Sequence, residues 1–388
     1  MREMLHGSKA VAKAVKLCDV DVVAAYPITP QTPIVEYIAQ MVADGELRAE
    51  YIMVESEHTA MSACIGASAT GARTFTATSS QGLAYMHEVL WIASGMRLPI
   101  VMVNANRALS APINIWNDQS DSMAERDSGW VQIYVETNQE ALDSVIQAYR
   151  IAEDREVLLP VMVCMDGFVL THTMEPVDVP QKEEVDRFLP PFEPEVKLDP
   201  EEPVTMGALG EPQWYMEFRK QQDVAMERAL HKVKEVDAEF SRVFGRGYGV
   251  LEKYGDDDAE VVLLTLGSLA GTIKDVVDGQ ENVRLVRLRL FRPLPEEDIA
   301  EALRGASVVG VLEKDIALGL GEGALCTEVK KLCYDYGIDA RVLSFVCGLG
   351  GRDVRMEDVE HAIQVCRQAA RGEKVNRTTW LGLREVAP

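Results

Sequence analysis

The sequence predicts an α/β protein with two domains, each built on a parallel β-sheet. Continuous apolar segments rich in Val and Ile alternate with longer helical patterns, which is typical of strands buried on both faces of a parallel sheet. The series is interrupted once, by a stretch rich in prolines and acids, and then starts again. At roughly 150 residues per domain, the 388 residues are enough for two or three domains, each with its own core.

The first half of the chain contains six strand-like segments. Its first strand ends before residues 27–30, Pro-Ile-Thr-Pro, where the prolines break the run and suit the start of a helix. Apolar residues at spacings of three and four from Ile34 to Met41 indicate that helix. The predicted strands are 21–26, 51–54, 74–78, 99–104, 130–135 and 160–165, with further helices at 57–70, 82–94 and 140–154.

The proline-rich stretch separates the two series. Seven prolines from Pro176 to Pro203 lie among many acids, which predicts a surface connection that cannot hold a helix or a central strand. A charged helix should follow at about 214–244, and the second series should contain strands 260–266, 283–290, 306–312 and 340–345 and a last helix at 356–370. The predicted division is a first domain at 1–175, a crossing segment at 176–245 and a second domain at 246–388.

Composition and charge exclude several classes of protein. A net charge of −23, with no basic patch to offset it, disfavours binding to nucleic acid or to an anionic membrane surface. The longest apolar runs, such as 261–266, are far shorter than the about 20 residues that span a bilayer. The seven cysteines are scattered without a Cys-x-x-Cys pair. We therefore expect a cytoplasmic protein with reduced thiols and no metal or iron–sulfur centre of its own.

Two glycine-rich segments and the histidines are weak candidates for a site. Gly319-x-Gly321-x-Gly323 lacks the spacing of a dinucleotide-binding loop, so a glycine-rich turn is the better interpretation. Residues 267–271 lack the Gly-Lys-Ser/Thr of a P-loop and predict a close strand-to-helix turn. The six histidines never pair at metal-ligand spacing, which disfavours a histidine metal site.

Polar residues follow the strands of the first domain, at the edge where open parallel sheets bind ligands. They are Thr29, Glu-Ser-Glu-His at 55–58, Ser-Ser-Gln at 79–81, Asn106 and Arg107, with residues 114–121 behind them. A hydroxyl, two carboxylates, an amide and an arginine could bind an acid with a carbonyl group beside its carboxylate. The alternative is that the two glutamates form a solvated strand end, Ser56 is only a helix N-cap and Arg107 is a rim charge. The pattern alone does not decide between them.

Eight motifs spread over nearly the whole chain decide the family. They are YPITPQTP at 26–33, VESEH at 54–58, TATSSQGL at 76–83, NRALSAP at 106–112, WND at 116–118, LTHT at 170–173, TLGSLAG at 265–271 and GLGGRD at 348–353. Together they resemble the alpha subunits of the 2-oxoacid:ferredoxin oxidoreductases, above all those of the pyruvate-specific branch.

The resemblance implies a thiamine diphosphate enzyme divided over several polypeptides. The first domain corresponds to the family's pyrimidine-binding domain, and the second resembles the carboxy-terminal domain of transketolase. In the family a beta subunit holds the diphosphate and Mg²⁺ with a Gly-Asp-Gly motif, which this sequence lacks. The [4Fe-4S] clusters lie on partner chains, in agreement with the scattered cysteines. The chain should therefore form half of an active site, completed by beta, gamma and delta subunits.

The resemblance also implies roles for individual residues. Glu57 matches the glutamate that bonds the pyrimidine ring nitrogen and favours the tautomer that accepts the thiazolium proton. Thr29 and Arg107 match substrate-holding positions, where a planar guanidinium suits a carboxylate. Ser79 and Gln81 match cofactor contacts.

Three further residues remain possible members of the site. Glu55 should lie beside Glu57 on one extended segment, where repulsion between like charges would favour keeping a proton. His58 could act directly or only pack at the start of a helix. Asn106 precedes the substrate-binding arginine in the NRALSAP motif.

The implied activity is that of an oxygen-sensitive pyruvate:ferredoxin oxidoreductase of anaerobic metabolism. Pyruvate, coenzyme A and oxidised ferredoxin would give acetyl-coenzyme A, carbon dioxide and reduced ferredoxin, or the reverse. A 2-oxoisovalerate or 2-oxoglutarate enzyme is the first alternative. A non-catalytic assembly subunit is the second, and the joint presence of Thr29, Glu57 and Arg107 argues against it.

Overall fold

Three sheets organise the polypeptide in the computed structural model, which describes residues 1–384. The strands are β1 (Arg2–His6), β2 (Val22–Ala25), β3 (Glu50–Met53), β4 (Thr74–Thr78), β5 (Val101–Asn106), β6 (Val131–Tyr134), β7 (Val161–Asp166), β8 (Met174–Asp178), β9 (Leu251–Gly255), β10 (Val261–Leu266), β11 (Val283–Leu288), β12 (Leu290–Arg292), β13 (Val308–Glu313), β14 (Arg341–Val346) and β15 (Thr378–Trp380).

Helices lie between most of these strands. They are α1 (Gly7–Leu17), α2 (Thr32–Ala43), α3 (Glu57–Ala69), α4 (Ser80–Tyr85), α5 (His87–Gly95), α6 (Ser120–Ala124), α7 (Asn138–Ala152), α8 (Val169–His172), α9 (Lys182–Phe188), α10 (Tyr215–Phe244), α11 (Leu269–Val277), α12 (Glu296–Leu303), α13 (Ala324–Asp335) and α14 (Met356–Ala370). Within residues 1–384 no helix combines the length and the apolar character needed to cross a bilayer.

The first large sheet has the strand order β12-β6-β7-β5-β4-β2-β3. All its pairings are parallel except that of β12 with β6. Every residue of β4, β5 and β7 is buried, because helices cover both faces. The sequence prediction of a parallel α/β sheet in the first half of the chain is confirmed.

The second large sheet has the order β15-β14-β13-β10-β11-β9, with only β9 antiparallel to its neighbour. Gly267 makes the turn from β10 to α11 at φ +66°, as predicted for a close strand-to-helix connection. Gly319 and Gly321 also have positive φ, at +91° and +82°, in the turn that precedes α13. The interpretation of this segment as a glycine-rich turn is correct.

One predicted strand, 283–290, is divided between the two large sheets. β11 ends one residue before Arg289, and β12 begins one residue after it and pairs with β6. Arg289 is fully buried, and its guanidinium donates hydrogen bonds to Glu140, Ser144 and Gln147 of α7. The backbone changes sheets where this buried charge reaches its partners, and apolar patterning does not reveal such a break.

The proline-rich stretch is more regular than its composition predicts. The expectation that it cannot hold a helix is wrong for α9, which fits between Pro180 and Pro190 and begins with a hydrogen bond from the Gln181 backbone to Glu184. β8 contains Pro176 but lies in a two-stranded edge sheet with β1, where proline is tolerated. The sequence analysis also missed β1, α1, β9 and β15.

A continuous apolar layer joins the two large sheets. It includes Trp130, just before β6, and Met162 of β7, together with Leu264 and Val286 from the second sheet and Phe291 of β12. The two sheets therefore bury each other's surface. The boundaries 1–175, 176–245 and 246–388 stay a prediction, and β12 shows that residues beyond 246 complete the first sheet.

Candidate functional site

The carboxyl-terminal edge of the first large sheet collects the predicted residues. Thr29 follows β2, Glu57 follows β3, Ser79 follows β4 and Arg107 follows β5. Arg107 Nη1 donates a hydrogen bond to the Thr29 carbonyl oxygen at 3.0 Å. Ser79 Oγ donates to the Ala105 carbonyl oxygen at 2.6 Å. These strand ends form one connected surface, as parallel pairing requires.

Glu57 is the first residue of α3, and its side chain is buried. Ser56 is the N-cap, because its Oγ accepts a hydrogen bond from the Thr59 backbone at 3.2 Å. Glu57 packs so closely on Gly82 that a Cβ atom there would lie 2.7 Å from Glu57 Oε1. No hydrogen bond within residues 1–384 reaches the Glu57 carboxylate, since those of this turn go to Ser56 and Glu55. The carboxylate is an acceptor available to a ligand.

Glu55 has different surroundings from Glu57. It is exposed and accepts a hydrogen bond from the Thr59 hydroxyl at 3.1 Å. The expectation that both glutamates lie side by side on an extended segment is wrong, because Glu57 already belongs to the helix and faces Gly82. Glu55 stabilises the first turn of α3.

The turn between β4 and α4 is held by hydrogen bonds of Ser80. This residue has φ +50°, which is uncommon for a side chain with a Cβ atom. Its Oγ lies 2.6 Å from the Ala108 carbonyl oxygen and 2.7 Å from Gln81 Oε1. Gln81 Nε2 is buried and has no partner within residues 1–384. Beside Gly82 the turn therefore offers an unpaired amide donor.

Arg107 is a buried cation and not a rim charge, since only 6% of it is exposed. Its Nε donates to the Asn114 carbonyl oxygen at 2.8 Å, and Nη1 donates to Thr29. Its Nη2 has no partner within residues 1–384, so this side of the group can bind a carboxylate. Burial lowers the pKa of Arg107, while the nearby charge of Asp121 raises it. An arginine pKa remains far above neutral pH.

Asp121 is the last residue of the segment 114–121 that the sequence analysis placed behind the site, but its role was not predicted. Its Oδ2 accepts hydrogen bonds from the Ser80 backbone at 2.9 Å, the Arg107 backbone at 3.1 Å and Asn104 Nδ2 at 3.0 Å. Its Oδ1 accepts from Asn106 Nδ2 at 2.9 Å and from the next backbone N–H at 2.7 Å. Burial raises the pKa of Asp121 to about 6, against the effect of these donors. One carboxylate thus joins the turn after β4 to the end of β5.

Asn106 and His58 have supporting contacts. Asn106 Nδ2 donates to Asp121 and to Ser122 Oγ at 2.7 Å, so its side chain faces the interior of the protein. His58 Nε2 lies 3.5 Å from Glu88 Oε2, and its ring centroid lies 5.8 Å from that of Tyr85. These contacts favour helix packing over a direct role for His58.

The fold and this edge define a class of protein, the two-unit α/β chains of thiamine diphosphate enzymes. A family model described as "Pyruvate flavodoxin/ferredoxin oxidoreductase, thiamine diP-bdg" matches residues 13–238, and one described as "Pyruvate:ferredoxin oxidoreductase core domain II" matches residues 259–359. The chain belongs to this family of oxidoreductases, which confirms the resemblance seen in the motifs.

Two relatives show how closely the family members agree. The chain is 56% identical over 390 residues to pyruvate synthase subunit PorA of Methanocaldococcus jannaschii, covering 99% of this chain and 98% of the relative. It is 45% identical over 383 residues to ketoisovalerate oxidoreductase subunit VorA of Pyrococcus abyssi, covering 97% and 96%. Both relatives match along nearly the whole chain.

Solved structures show the same fold. A 2-oxoglutarate:ferredoxin oxidoreductase from Magnetococcus marinus, with 2-oxoglutarate, coenzyme A and succinyl-CoA bound, gives a TM-score of 0.72 at 19% identity over 94% of this chain and 65% of that one. A split-gene transketolase, described as an inactive beta4 tetramer, gives 0.54 at 13% identity over 94% and 98%. At these identities the likeness concerns the fold alone, and it agrees with the predicted transketolase-like architecture.

We expect Asp121→Ala to lower the free energy of unfolding by about 3 kcal/mol or more. The substitution leaves several buried N–H donors without an acceptor, at about 1–3 kcal/mol each. Urea unfolding of the purified chain measures the change. Asp339→Ala, at an exposed loop position, is the control and should change stability by less than about 0.5 kcal/mol. Equal effects of the two substitutions would show that Asp121 is not an anchor.

Proposed function

We propose that the chain is the alpha subunit of a pyruvate:ferredoxin oxidoreductase, or pyruvate synthase. With its partner chains it would convert pyruvate, coenzyme A and oxidised ferredoxin into acetyl-coenzyme A, carbon dioxide and reduced ferredoxin, or catalyse the reverse synthesis. The identity of 56% to a subunit of that name supports the substrate. The observation that carries the chemistry is the buried Glu57 carboxylate without an internal hydrogen-bond donor.

The edge fits the pyrimidine end of thiamine diphosphate. Glu57 provides a buried acceptor and Gln81 Nε2 a buried donor, both without partners in the described part of the chain. Gly82 leaves the approach to Glu57 free of a side chain. An aminopyrimidine ring both donates and accepts hydrogen bonds, so it would satisfy the two groups. Ser79 would act indirectly, because its hydroxyl is already bonded to β5.

Glu57 would accept a hydrogen bond from the protonated pyrimidine nitrogen and so favour the tautomer that takes up a proton. Thiamine diphosphate, when bound, supplies the carbon nucleophile for attack on the 2-oxo group. The side chain of Glu57 is largely buried, so its electrostatic interaction with the ring would be screened less by solvent than at an exposed position.

Arg107 and Thr29 would hold the substrate carboxylate. Two donors of the guanidinium are fixed by Asn114 and Thr29, so the free Nη2 has a defined direction. The exposed Thr29 side chain lies at the same strand end. A carboxylate held there would be oriented for departure as carbon dioxide.

Partner chains would complete the active site. The sequence lacks the Gly-Asp-Gly motif, so a beta subunit would hold the diphosphate and Mg²⁺. All seven cysteines are buried, and the described residues contain no group of three or more side chains arranged to hold a metal ion. The [4Fe-4S] clusters that pass electrons to ferredoxin would therefore lie on other subunits, with gamma and delta chains in the complex. We place this complex in the cytoplasm.

A branched 2-oxoacid is the second candidate substrate, because a ketoisovalerate oxidoreductase subunit is 45% identical. The 2-oxoglutarate alternative is supported only by similarity of fold. A purely structural subunit would need neither the open Glu57 acceptor nor the free side of Arg107.

A substrate panel on the complete complex tests the proposed function. We expect the highest kcat/KM with pyruvate and lower values with 2-oxoisovalerate and 2-oxoglutarate. Ferredoxin reduction measured spectroscopically under anaerobic conditions gives all three values. A preference for 2-oxoisovalerate would favour the second candidate. Turnover that persists when this chain is absent would favour a purely structural role.

We expect Glu57→Gln to reduce turnover by about 10²- to 10⁴-fold while the complex still assembles. Glutamine keeps the shape but lacks the negative charge that stabilises a protonated ring nitrogen. Glu55→Gln is the matched control, because Glu55 is exposed and lies two residues away. Activity and subunit stoichiometry measured for both complexes decide the assignment, and a larger loss in Glu55→Gln would reverse it.

We expect Arg107→Ala to lower kcat/KM for pyruvate by about two orders of magnitude or more, equivalent to roughly 3 kcal/mol. The substitution removes the cation that pairs with the substrate carboxylate. Arg107→Lys should restore only part of the activity, because it keeps the charge without the planar geometry. Thiamine diphosphate content should not change. Near-normal pyruvate kinetics in Arg107→Ala would remove this residue from the site.

A further inference from the structure

Two loops from different halves of the chain meet beside Arg107. We call residues 107–121, which run from the end of β5 into the first turn of α6, the arginine loop. Residues 348–351, which follow β14 in the second large sheet, are the glycine loop. The glycine loop belongs to the GLGGRD motif, and the proposed function gives it no role. Hydrogen bonds connect it directly to the arginine loop.

Asn114 connects Arg107 to the glycine loop. Its backbone oxygen accepts the hydrogen bond from Arg107 Nε at 2.8 Å, and its side-chain Nδ2 donates to the Gly350 carbonyl oxygen at 3.0 Å. Its Oδ1 accepts from the Trp116 backbone at 2.7 Å, which fixes the side chain. A displacement of the glycine loop would therefore move the residue that holds the guanidinium.

The backbone of the glycine loop also donates to the arginine loop. The Gly350 N–H donates to Asp118 Oδ2 at 3.1 Å, and the Gly351 N–H donates to the Asn117 carbonyl oxygen at 2.6 Å. Both glycines have positive φ, at +60° and +78°. A Cβ atom on Gly350 would lie 2.5 Å from Asn114 Nδ2, and one on Gly351 would overlap the Trp116 side chain. These positions require glycine both for conformation and for space.

The parts of the chain built on the first and second large sheets are called the first and second units. A buried ion pair fixes the second unit beside the arginine loop. Lys314, after β13, lies 2.9 Å from Asp166 at the end of β7. Lys314 Nζ also donates to Asn117 Oδ1 at 3.0 Å, and the Lys314 carbonyl oxygen accepts from the Gln119 backbone at 2.8 Å. The arginine loop is thus bonded to the second unit at several points along its length.

We propose that the glycine loop is a positioning element for Arg107. Asp121 fixes the Arg107 backbone from within the first unit, and the glycine loop fixes the guanidinium through Asn114 from the second unit. The second unit thereby sets the orientation of the group that receives the 2-oxoacid carboxylate. The nature of that ligand rests on the proposed function, whereas the hydrogen-bonded connection from the glycine loop through Asn114 to Arg107 does not.

Two substitutions with the same backbone strain separate positioning from general stability. Gly351→Ala places a methyl group against Trp116, whereas Gly372→Ala, at φ +80°, has no atom within 4 Å of the new Cβ. Asn114→Ala is a second variant, which removes the hydrogen bond to the glycine loop without adding strain.

In the complete complex we expect Gly351→Ala and Asn114→Ala to raise KM for pyruvate about tenfold or more. KM for coenzyme A and the thiamine diphosphate content should stay within about twofold, because the loop acts on the carboxylate site alone. Gly372→Ala should leave KM for pyruvate within about twofold. A KM for pyruvate in Gly351→Ala and Asn114→Ala equal to that of Gly372→Ala would overturn the proposal.

Hydrogen–deuterium exchange of the full-length chain tests the connection without relying on activity. Peptides covering 107–121 should exchange faster in Gly351→Ala and Asn114→Ala than in the wild type. In Gly372→Ala the exchange rate of these peptides should equal that of the wild type. If the wild-type complex turns over none of the 2-oxoacids, the proposed function fails, and exchange alone decides the connection. Unchanged exchange of the arginine loop in both variants would overturn it.

Discussion

The buried carboxylate of Asp121 joins two segments at the edge of the first sheet, the turn after β4 and the end of β5. The Ser80 and Arg107 backbone N–H groups both donate to its Oδ2, so the turn that carries Gln81 and the strand end that carries the guanidinium hold fixed relative positions. Arrangements that break these hydrogen bonds are unfavourable, because a buried N–H without an acceptor costs about 1–3 kcal/mol. Glu57 depends on the same turn, because it packs on Gly82 there.

The two large sheets are joined by two interactions with different physical roles. The apolar layer removes a large hydrophobic surface from water and is not directional. The pair between Lys314 and Asp166 is directional, since Asn117 donates to the same carboxylate at 3.1 Å. A buried ion pair adds little net stability but disfavours arrangements that leave either charge unpaired. It therefore specifies how the second unit meets the loop that supports Arg107.

Much of the fold could be predicted because buried parallel strands are unbroken apolar runs and their carboxyl ends share an edge. The same geometry predicted that Thr29 and Arg107 would meet. The role of Asp121 could not be predicted, since its partners come from two distant segments, the turn after β4 and the end of β5. The contact of Asn114 with Gly350 joins residues 236 positions apart, and no local pattern encodes it. The motifs of the family resemblance include Gly350 but neither Asn114 nor Asp121, so the resemblance gives no reason for these contacts.

The surroundings of Arg107 would allow a chain of net charge −23 to bind the anion of the proposed substrate. Burial lowers the pKa of Arg107, and the guanidinium, which stays protonated at neutral pH, is less well solvated than it would be at an exposed position. The nearby charge of Asp121 offsets this effect only in part, since the pKa of Arg107 remains lowered. A carboxylate on Nη2 would add an anionic acceptor to a cation whose acceptors Asn114 and Thr29 are neutral carbonyl oxygens. Because Asn114 and Thr29 already fix the guanidinium, binding would cost little orientational freedom. In the proposed site, affinity for the carboxylate would come from a charge that is buried and oriented in advance.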